Sequence, residues 1–217
     1  MGVLILGDVH GCYYTLKSLL REHWNPEEDQ LVLIGDLINK GPHSARTFKY
    51  WLKLKEQYPS RVYCIRGNHE QWFLDAYREK EKTKAYLQLC SEFEERSLRP
   101  AEVAAEIGQM PLHFENDYLF VSHAGVSEAT LDPFDTKHAS GVLKNRKALK
   151  SLMKIQVIGH TIIDRDKPLF KASENAWYVD TGAWCRKYLS ALNFQSEKIA
   201  PRILQVPTKK KDKSKLN

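Results

Sequence analysis

Short runs of apolar residues, each ending in a polar cluster, recur along the chain and predict buried β-strands. The five clearest runs are rich in β-branched and aromatic residues and cover residues 3–6, 31–34, 62–65, 118–121 and 155–158. Between the first three runs, residues 13–23 and 44–58 place apolar side chains at helical spacing. The first half of the chain therefore predicts a βαβ pattern.

The second half of the chain has a different pattern, which is typical of antiparallel strands. Asn116 and Asp117 separate two apolar runs and form a two-residue hairpin signal. Later runs occur in pairs, residues 170–173 with 177–179 and residues 189–194 with 199–206. We therefore expect an α/β protein with a mixed sheet, or two packed sheets, covered by helices.

A charged, helix-prone segment at residues 77–110 is inserted between two of the predicted strands. Insertions at strand ends often shape specificity, so this segment is either a solvated helical excursion or a cap over a site.

The chain has 217 residues and a net charge of +6, which fits one domain over residues 1–207. Residues 208–217 contain five lysines and one aspartate, and they carry +4 of that charge. We expect this lysine-rich tail to be solvated and disordered, without a nucleic-acid partner.

Cysteine usage and the start of the chain bear on location. The four cysteines are scattered without a CxxC pair, which favours reduced, buried thiols in a cytoplasmic protein. The apolar start is too short for a signal peptide, and no myristoylation motif follows Gly2. We therefore expect no membrane partner.

Each of the five clearest predicted strands is followed by side chains that bind metals. These candidate ligands are Asp8, His10, Asp36, Asn68, His123 and His160. Strands of an open α/β sheet present their carboxyl ends to one crevice, where distant ligands converge. The mixture of oxygen donors and imidazoles suits manganese, iron or zinc better than calcium. The set is large enough for two ions about 3.5–4 Å apart, with Asp36 as the candidate bridge.

The motifs that contain these residues are GDVHG, GDLINKG, GNHE, SHAG and GHT. Together they resemble the signature of the calcineurin-like metallophosphoesterases, over residues 3–183. GNHE with SHAG is similar to the phosphoprotein phosphatase branch, which includes a bacteriophage protein phosphatase and bacterial symmetrical diadenosine tetraphosphatases. The resemblance implies a four-layer αββα sandwich of two mixed β-sheets flanked by helices.

The resemblance also implies a binuclear metal site and a mechanism. One metal would be held by Asp8, His10 and Asp36, and the other by Asp36, Asn68, His123 and His160. The cofactors would be two divalent ions, manganese first, with iron, zinc, nickel or cobalt as alternatives. A metal-bridging hydroxide would attack phosphorus, while His69 protonates the leaving oxygen as the general acid.

Three further residues are assigned to catalysis by comparison with the family. Arg146, in LKNR, resembles the family's phosphate-binding arginine, which grips two oxygens at once. Asn39 and Lys40 stand where family protein phosphatases usually carry Asp-Arg. Asn39 is a neutral acceptor beside His69 and should leave the pKa of His69 lower than an aspartate would. Lys40 keeps the positive charge but loses the bidentate fork.

These expectations favour a serine/threonine protein phosphatase-like enzyme whose substrate is a phosphorylated protein. The alternative is a symmetrical bis(5'-nucleosyl)-tetraphosphatase, whose substrate is a dinucleoside polyphosphate. A more distant alternative is a binding module that keeps the fold without catalysis.

Overall fold

A computed structural model describes residues 2–213 and shows ten strands and five α-helices in that range. In chain order they are β1 Gly2–Leu6, α1 Tyr13–His23, β2 Asp29–Leu33, α2 Ser44–Gln57, β3 Val62–Cys64, α3 Asn68–Arg78, α4 Lys84–Glu94, α5 Pro100–Gln109, β4 His113–Glu115, β5 Leu119–Ser122, β6 Ile155–Ile158, β7 Leu169–Lys171, β8 Ala176–Tyr178, β9 Tyr188–Phe194 and β10 Arg202–Pro207. The predicted strands and the first two predicted helices are confirmed, with shifts of a few residues at most at their ends. Helix α3 was not predicted.

The strands form two mixed sheets, as expected. The first has the order β10-β9-β1-β2-β3, in which β1, β2 and β3 are parallel and β9 runs antiparallel to both of its neighbours, β1 and β10. The second has the order β4-β5-β6-β8-β7, with β5, β6 and β8 parallel and the two edge strands antiparallel. The βαβ half thus supplies β1, β2 and β3 of the first sheet, and the second half supplies the whole second sheet together with β9 and β10 of the first.

The alternation of side chains along β1 shows how the layers are held together. Val3 and Ile5 belong to the apolar cluster that the two sheets share, whereas Leu4 and Leu6 belong to the cluster beneath the helices. Successive residues of a strand point to opposite faces, so a strand that is apolar throughout is buried on both sides. This explains why β1 reads as a continuous apolar run.

All five α-helices lie on the outer side of the first sheet, because their buried side chains belong to the cluster that contains Leu4 and Leu6, and α4 and α5 pack there against α2 and α3. The outer face of the second sheet carries a smaller cluster that includes Ile158, Tyr178 and Leu149. Leu149 comes from the segment between β5 and β6, in which the structure shows no α-helix. The predicted sandwich of two mixed sheets flanked by helices is confirmed, with its helices concentrated on one side.

The inserted segment at residues 77–110 contains all of α4 and α5 and joins this helical layer. Tyr86, Phe93 and Ile107 are buried in the main core beside α2 and α3. All residues of the segment are described, and none lines the metal-ligand cavity discussed below. Glu81 alone borders a neighbouring groove. The segment therefore contributes to the core, and its role as a cap stays a prediction.

The beginning of the lysine-rich tail is ordered, which differs from the expectation. Thr208 donates a hydrogen bond to the carbonyl oxygen of Ala183 at 2.7 Å. Asp212 is fully buried and accepts hydrogen bonds from the backbone N–H and the hydroxyl of Thr15, both at 2.6 Å. Amino-acid composition cannot predict these contacts, because they join residues that are far apart in the sequence. Residues 214–217 of the predicted tail lie outside the described residues.

Among the described residues, no helix is long and apolar enough to cross a membrane. The four cysteines are free, with Cys12 and Cys64 buried in the core.

Candidate metal centre

The strand ends bring the six predicted ligands together at one edge of the sandwich. Asp8 and His10 follow β1, Asp36 follows β2, and Asn68 begins α3 shortly after β3. From the second sheet, His123 follows β5 and His160 follows β6. Both sheets contribute the carboxyl ends of parallel strands, which explains why residues far apart in sequence meet here.

Three of these ligands sit in backbone conformations that side chains other than glycine rarely adopt. His10, Asp36 and His160 have φ angles of 44°, 50° and 65°. Such left-handed conformations cost about 1–3 kcal/mol each and cluster at functional sites. The N–H of His10 donates to the carbonyl oxygen of Asp36 at 2.7 Å, which ties the first two strained loops together.

Asp36 lies at the middle of the cluster. Its Oδ2 atom is 3.4 Å from Nε2 of His10 and 3.4 Å from Nε2 of His123. Two groups of side chains could each hold an ion, His10 with Asp36 and His69, and Asp8 with Asp36 and His123. Asp36 belongs to both groups, as a bridging carboxylate must.

The side-chain oxygen of Asn68 meets the two histidines from the second sheet. Its Oδ1 atom lies 2.9 Å from Nε2 of His123 and 2.8 Å from Nδ1 of His160. The three polar atoms are therefore close enough to coordinate one ion. Asp8 is linked to the same group, because its carboxylate accepts a hydrogen bond from the N–H of His160.

Backbone carbonyls orient the two most buried imidazoles. Nδ1 of His10 lies 3.2 Å from the carbonyl oxygen of Ile38, and Nδ1 of His123 lies 3.0 Å from that of Ile34. A carbonyl only accepts, so each Nδ1 carries a hydrogen, and each Nε2, which faces Asp36, is left to bind a metal ion. Metal-binding histidines are commonly held in this way.

The electrostatics of the cluster also fit a cation. Asp8, Asp36 and Asp180 are each only 2% exposed. Burial and the charge of Asp180 raise the pKa of Asp8 well above its usual value. Burial lowers the pKa of His123, but the carboxylates of Asp36 and Asp8 outweigh it and raise the pKa to about 10. Buried carboxylates need a positive partner, and a divalent ion is one.

The residues therefore fit two divalent ions bound by oxygen and imidazole donors. No cysteine takes part in either candidate group, within the residues that the structure describes. This donor set matches manganese, iron or zinc rather than a thiolate-bound structural zinc. The family resemblance divides the ligands differently from these two groups, with Asp8, His10 and Asp36 on one ion, Asp36, Asn68, His123 and His160 on the other, and His69 on neither. This division stays a prediction.

His69 lies beside the ligands. Its backbone N–H donates to Oδ1 of Asp36 at 3.0 Å, and its ring Nε2 atom lies 3.9 Å from Oδ2 of the same carboxylate. Its Nδ1 atom lies 3.0 Å from the amide nitrogen of Asn39. Asn39 was expected to present an acceptor, but its Oδ1 atom already accepts the N–H of Lys40 at 2.7 Å. The amide nitrogen faces His69 for that reason.

Lys40 and Arg146 contribute positive charge at the rim. The ammonium of Lys40 lies over the ring of Trp184, 5.4 Å from its centroid. Nη1 of Arg146 lies 3.3 Å from the hydroxyl of Thr161, and the side chain is exposed. Both cations line the same cavity as the ligands, so they face any phosphoryl group that enters it.

This cavity has a volume of about 350 Å³. Its lining residues are His10, Asp36, Lys40, Asn68, His69, Arg146, His160, Thr161, Ile162, Asp180 and Trp184. Two further grooves share walls with it. One, of about 310 Å³, shares Arg146 and Thr161, and the other, of about 390 Å³, shares Asn68 and His69.

Sequence reasoning missed Glu70, which positions the central loop. Its Oε2 atom accepts the N–H groups of Asp36 and Gly67 at 2.7 and 3.0 Å, and its Oε1 atom accepts those of Leu37 and Ile38 at 2.8 and 3.2 Å. The side chain is fully buried. Glutamate at the third position of a helix often reaches back to the backbone, and that signal was present in GNHE.

Comparison with known proteins agrees with this geometry. Residues 1–188 match the family model described as calcineurin-like phosphoesterase. A symmetrical bis(5'-nucleosyl)-tetraphosphatase of Pseudomonas syringae pv. syringae (strain B728a) is 42% identical over 85 residues, which are 39% of this chain and 28% of that protein. The catalytic subunit of serine/threonine-protein phosphatase 6 of Drosophila melanogaster is 40% identical over 68 residues, 31% of this chain and 22% of that protein. The matches thus span less than a third of either relative.

Solved structures show the same fold at low sequence identity. A protein serine/threonine phosphatase from Saccharomyces cerevisiae superposes with a TM-score of 0.70 at 14% identity, covering 95% of this chain and 80% of that one. A cold-active protein-tyrosine phosphatase of a Shewanella species superposes with a TM-score of 0.68 at 19% identity, covering 95% and 78%. These likenesses concern the fold alone.

Proposed function

The chain belongs to the calcineurin-like phosphoesterase family, and we propose that it hydrolyses phosphate monoesters on the serine or threonine side chains of phosphoproteins. Two divalent ions, when bound, supply charge that offsets the phosphoryl oxygens and lower the pKa of a water. We assign the six ligands to hold them, with Asp36 between the two. Manganese is the metal we expect first.

The chain's own residues would divide the remaining work. Arg146 lines the cavity with a free guanidinium face and would grip the phosphoryl oxygens of the substrate. Lys40 would add positive charge on the same side. His69 would hold a proton for the leaving alkoxide of serine or threonine, whose high pKa requires a general acid. Asn39 would orient the His69 ring through the 3.0 Å contact.

The observation that carries the substrate assignment is the unlike chemistry of the two grooves that flank the cavity. The groove beyond Arg146 contains Lys147, Lys171 and one carboxylate, Glu174, whereas the groove beyond His69 contains Asp75, Glu81 and one ammonium, Lys144, so the first is net positive and the second net negative. The two nucleosides of a symmetrical dinucleotide are identical and would favour two similar pockets. A peptide that runs through the site has no such symmetry.

Two aromatic residues near the cavity, Trp184 and Tyr178, support the same choice, while a third, Trp72, lines the groove beyond His69. Nucleoside recognition commonly uses free aromatic faces for stacking. Lys40 covers the ring of Trp184, and Lys171 lies over the ring of Tyr178 at 4.2 Å from its centroid. Cleavage of a dinucleoside tetraphosphate nevertheless stays as the second candidate, because the Pseudomonas syringae relative carries that name.

A direct competition between substrates tests the proposal. The manganese-loaded protein is assayed against a panel of phosphoserine and phosphothreonine peptides and against diadenosine tetraphosphate. We expect a higher kcat/KM on the best peptide. A large preference for the dinucleotide would overturn the protein phosphatase assignment in favour of the second candidate.

A variant tests whether the protein is an enzyme at all. Asp36→Asn removes the bridging charge, while Asp117→Asn changes an exposed hairpin residue in the same way. We expect Asp36→Asn alone to lose hydrolysis of an aryl phosphate and metal content measured by mass spectrometry. Equal inactivity of the wild type and Asp36→Asn with a full metal load would indicate a non-catalytic binding module.

A further inference from the structure

A basic groove lies between α1 and α2, apart from the metal-ligand cavity. It has a volume of about 460 Å³, and its charged lining residues are Lys17, Arg46, Lys49, Lys53 and Arg96. We use the name basic groove for this set together with Tyr13 and Tyr50, which also line it. Within the described part of the chain, its lining contains these five cations and no carboxylate. The groove is therefore positively charged.

The positive side chains lie along one stripe of each helix. On α2, Arg46, Lys49 and Lys53 are spaced by three and four residues, which places them on one face. On α1, Lys17 follows Tyr13 by four residues, so these two also share a face. The groove thus results from the regular geometry of two helices and not from a chance meeting of mobile side chains.

None of the five cations forms an ion pair with a carboxylate, among residues 2–213. The side-chain hydrogen bonds of Lys49 and Arg46 are to neutral groups. Lys49 donates to the carbonyl oxygen of Arg96 at 2.9 Å, and Arg46 donates to the hydroxyl of Tyr14 at 2.8 Å. Like charges held this close repel one another, and an anionic ligand would remove that repulsion.

The position of the groove connects it to the metal centre. Helix α1 begins three residues after His10, and α2 begins eight residues after Asp36. The N–H of His43, just before α2, donates to the carbonyl oxygen of Gly11, just before α1. Both walls of the groove therefore start at the loops that carry metal ligands.

We propose that the basic groove binds an acidic segment of the phosphoprotein substrate, which rests on the protein phosphatase activity proposed above. From Arg46 to Lys53 the surface of α2 extends about 10 Å, a length that about three residues of an extended peptide cover. Three or four consecutive acidic residues match the three cations on α2, with Lys17 facing them from α1.

The aromatic residues of the groove favour a peptide over a single-stranded nucleic acid. Single-stranded nucleic acids gain affinity by stacking bases on free aromatic faces. The rings of Tyr13 and Tyr50 instead pack edge-to-face on each other, 5.7 Å apart and at 87°. The neighbouring ring of Tyr14 is covered by Arg46 and Lys211.

A charge-reversal variant tests the proposal by direct binding. Lys17→Glu/Lys53→Glu reverses two exposed groove lysines, and Lys137→Glu/Lys198→Glu reverses two exposed lysines elsewhere. The probe is a fluorescent, unphosphorylated peptide with four glutamates, compared with its glutamine version. We expect the wild type and the control variant to bind the glutamate peptide about tenfold more tightly than the glutamine peptide, and the groove variant to lose this preference.

Kinetics then connect the groove to substrate choice. Two phosphopeptides differ only by glutamates or glutamines beside the phosphorylated residue. We expect the glutamates to lower KM and not kcat in the wild type, and the groove variant to lose that difference. Hydrolysis of p-nitrophenyl phosphate should be equal in the wild type and both variants, because the groove does not line the metal-ligand cavity.

Several outcomes would overturn the proposal. The wild type could bind the two probe peptides equally, or the groove variant and the control variant could lose the preference for the glutamate peptide to the same extent. A single-stranded oligonucleotide could also bind more tightly than the glutamate peptide and lose that affinity in the groove variant. Failure of the proposed function is a distinct result, since the wild type would then hydrolyse no phosphopeptide while the binding experiment still decides what the groove holds.

Discussion

The amide nitrogen of Asn39 lies 3.0 Å from Nδ1 of His69, while the amide oxygen accepts the N–H of Lys40. Nδ1 of His69 must then act as an acceptor, which leaves the hydrogen of the neutral ring on Nε2. A protonated ring carries hydrogens on both nitrogens, so two donors would face each other. Asn39 therefore disfavours the charged form that a general acid needs.

Replacing Asn39 with aspartate should improve the general acid. Burial lowers the pKa of His69, Asp36 opposes this effect, and Lys40 adds to it. A carboxylate at position 39 accepts from Nδ1–H and favours the charged ring, which raises the pKa of His69. A higher pKa keeps His69 protonated to higher pH, so Asn39→Asp should move the basic limb of the kcat/KM profile to higher pH.

The pH profile of kcat/KM is measured with an aryl phosphate at fixed manganese, with exposed Asn25→Asp as the control. An unchanged basic limb would argue against His69 as the acid.

Gly159 is required because of the space that Asp8 occupies. A methyl group at Gly159 would lie 2.0 Å from Oδ1 of Asp8, so Gly159→Ala must displace this ligand. A misplacement of about 1 Å costs about a hundredfold in rate, and we expect at least that loss in kcat/KM together with lower metal content.

Gly108→Ala is the matched control, because a methyl group at Gly108 in α5 meets nothing within 4 Å. It should leave activity unchanged and raise the free energy of unfolding by less than about 1 kcal/mol. Retained metal and activity in Gly159→Ala would mean that Asp8 is not a ligand.

Glu70→Gln tests whether the buried carboxylate holds the metal loop. Glutamine replaces one carboxylate oxygen with an amide nitrogen, which donates and cannot accept. Some of the four backbone N–H groups that Glu70 accepts in the wild type therefore lose their partner. We expect the free energy of unfolding to fall by about 2 kcal/mol and manganese affinity to fall with it. Urea unfolding and metal titration measure the two effects, and exposed Glu79→Gln in the same region is the control. A stability loss without any change in metal affinity would limit Glu70 to a structural role.

Asp212→Asn tests the docking of the C-terminal segment. Helix α1 has no side-chain cap from its own N-cap residue, and Asp212 instead accepts the N–H groups of Tyr14 and Thr15. Loss of the charge and of one acceptor should reduce the free energy of unfolding by about 1–2 kcal/mol. Urea unfolding compares this variant with exposed Asp117→Asn. Equal stability of the two variants would show that residues 208–213 do not cap α1 in solution.

Local patterns were sufficient for much of the fold. The predicted strand at residues 155–158 coincides with β6, and the predicted helix at residues 13–23 coincides with α1. Both depend on the spacing of apolar residues within one element. Helix α3 was missed because it begins at Asn68 and His69, whose polar side chains indicated a site rather than a helix start.

The candidate site was predictable as a set of residues and not as an arrangement. Strand ends placed Asp36, His123 and the other ligands at one edge, because parallel strands share the direction of their carboxyl ends. Asn39 meets His69 across thirty residues of sequence, and Glu70 accepts the N–H of Asp36 from more than thirty residues away. No pattern in a single segment contains these pairings.

The sequence by itself determined which residue types stand at the strand ends, namely hard oxygen and imidazole ligands, and that the chain departs from the family pattern at Asn39 and Lys40. From apolar patterning alone, it left one mixed sheet and two packed sheets as alternatives. Only the tertiary structure decided that Asp36 lies 3.4 Å from both His10 and His123, and that Asp212 caps α1. The reason is physical. Apolar periodicity follows from geometry within one element, whereas these contacts join residues that come together only when both sheets and the C-terminal segment have packed.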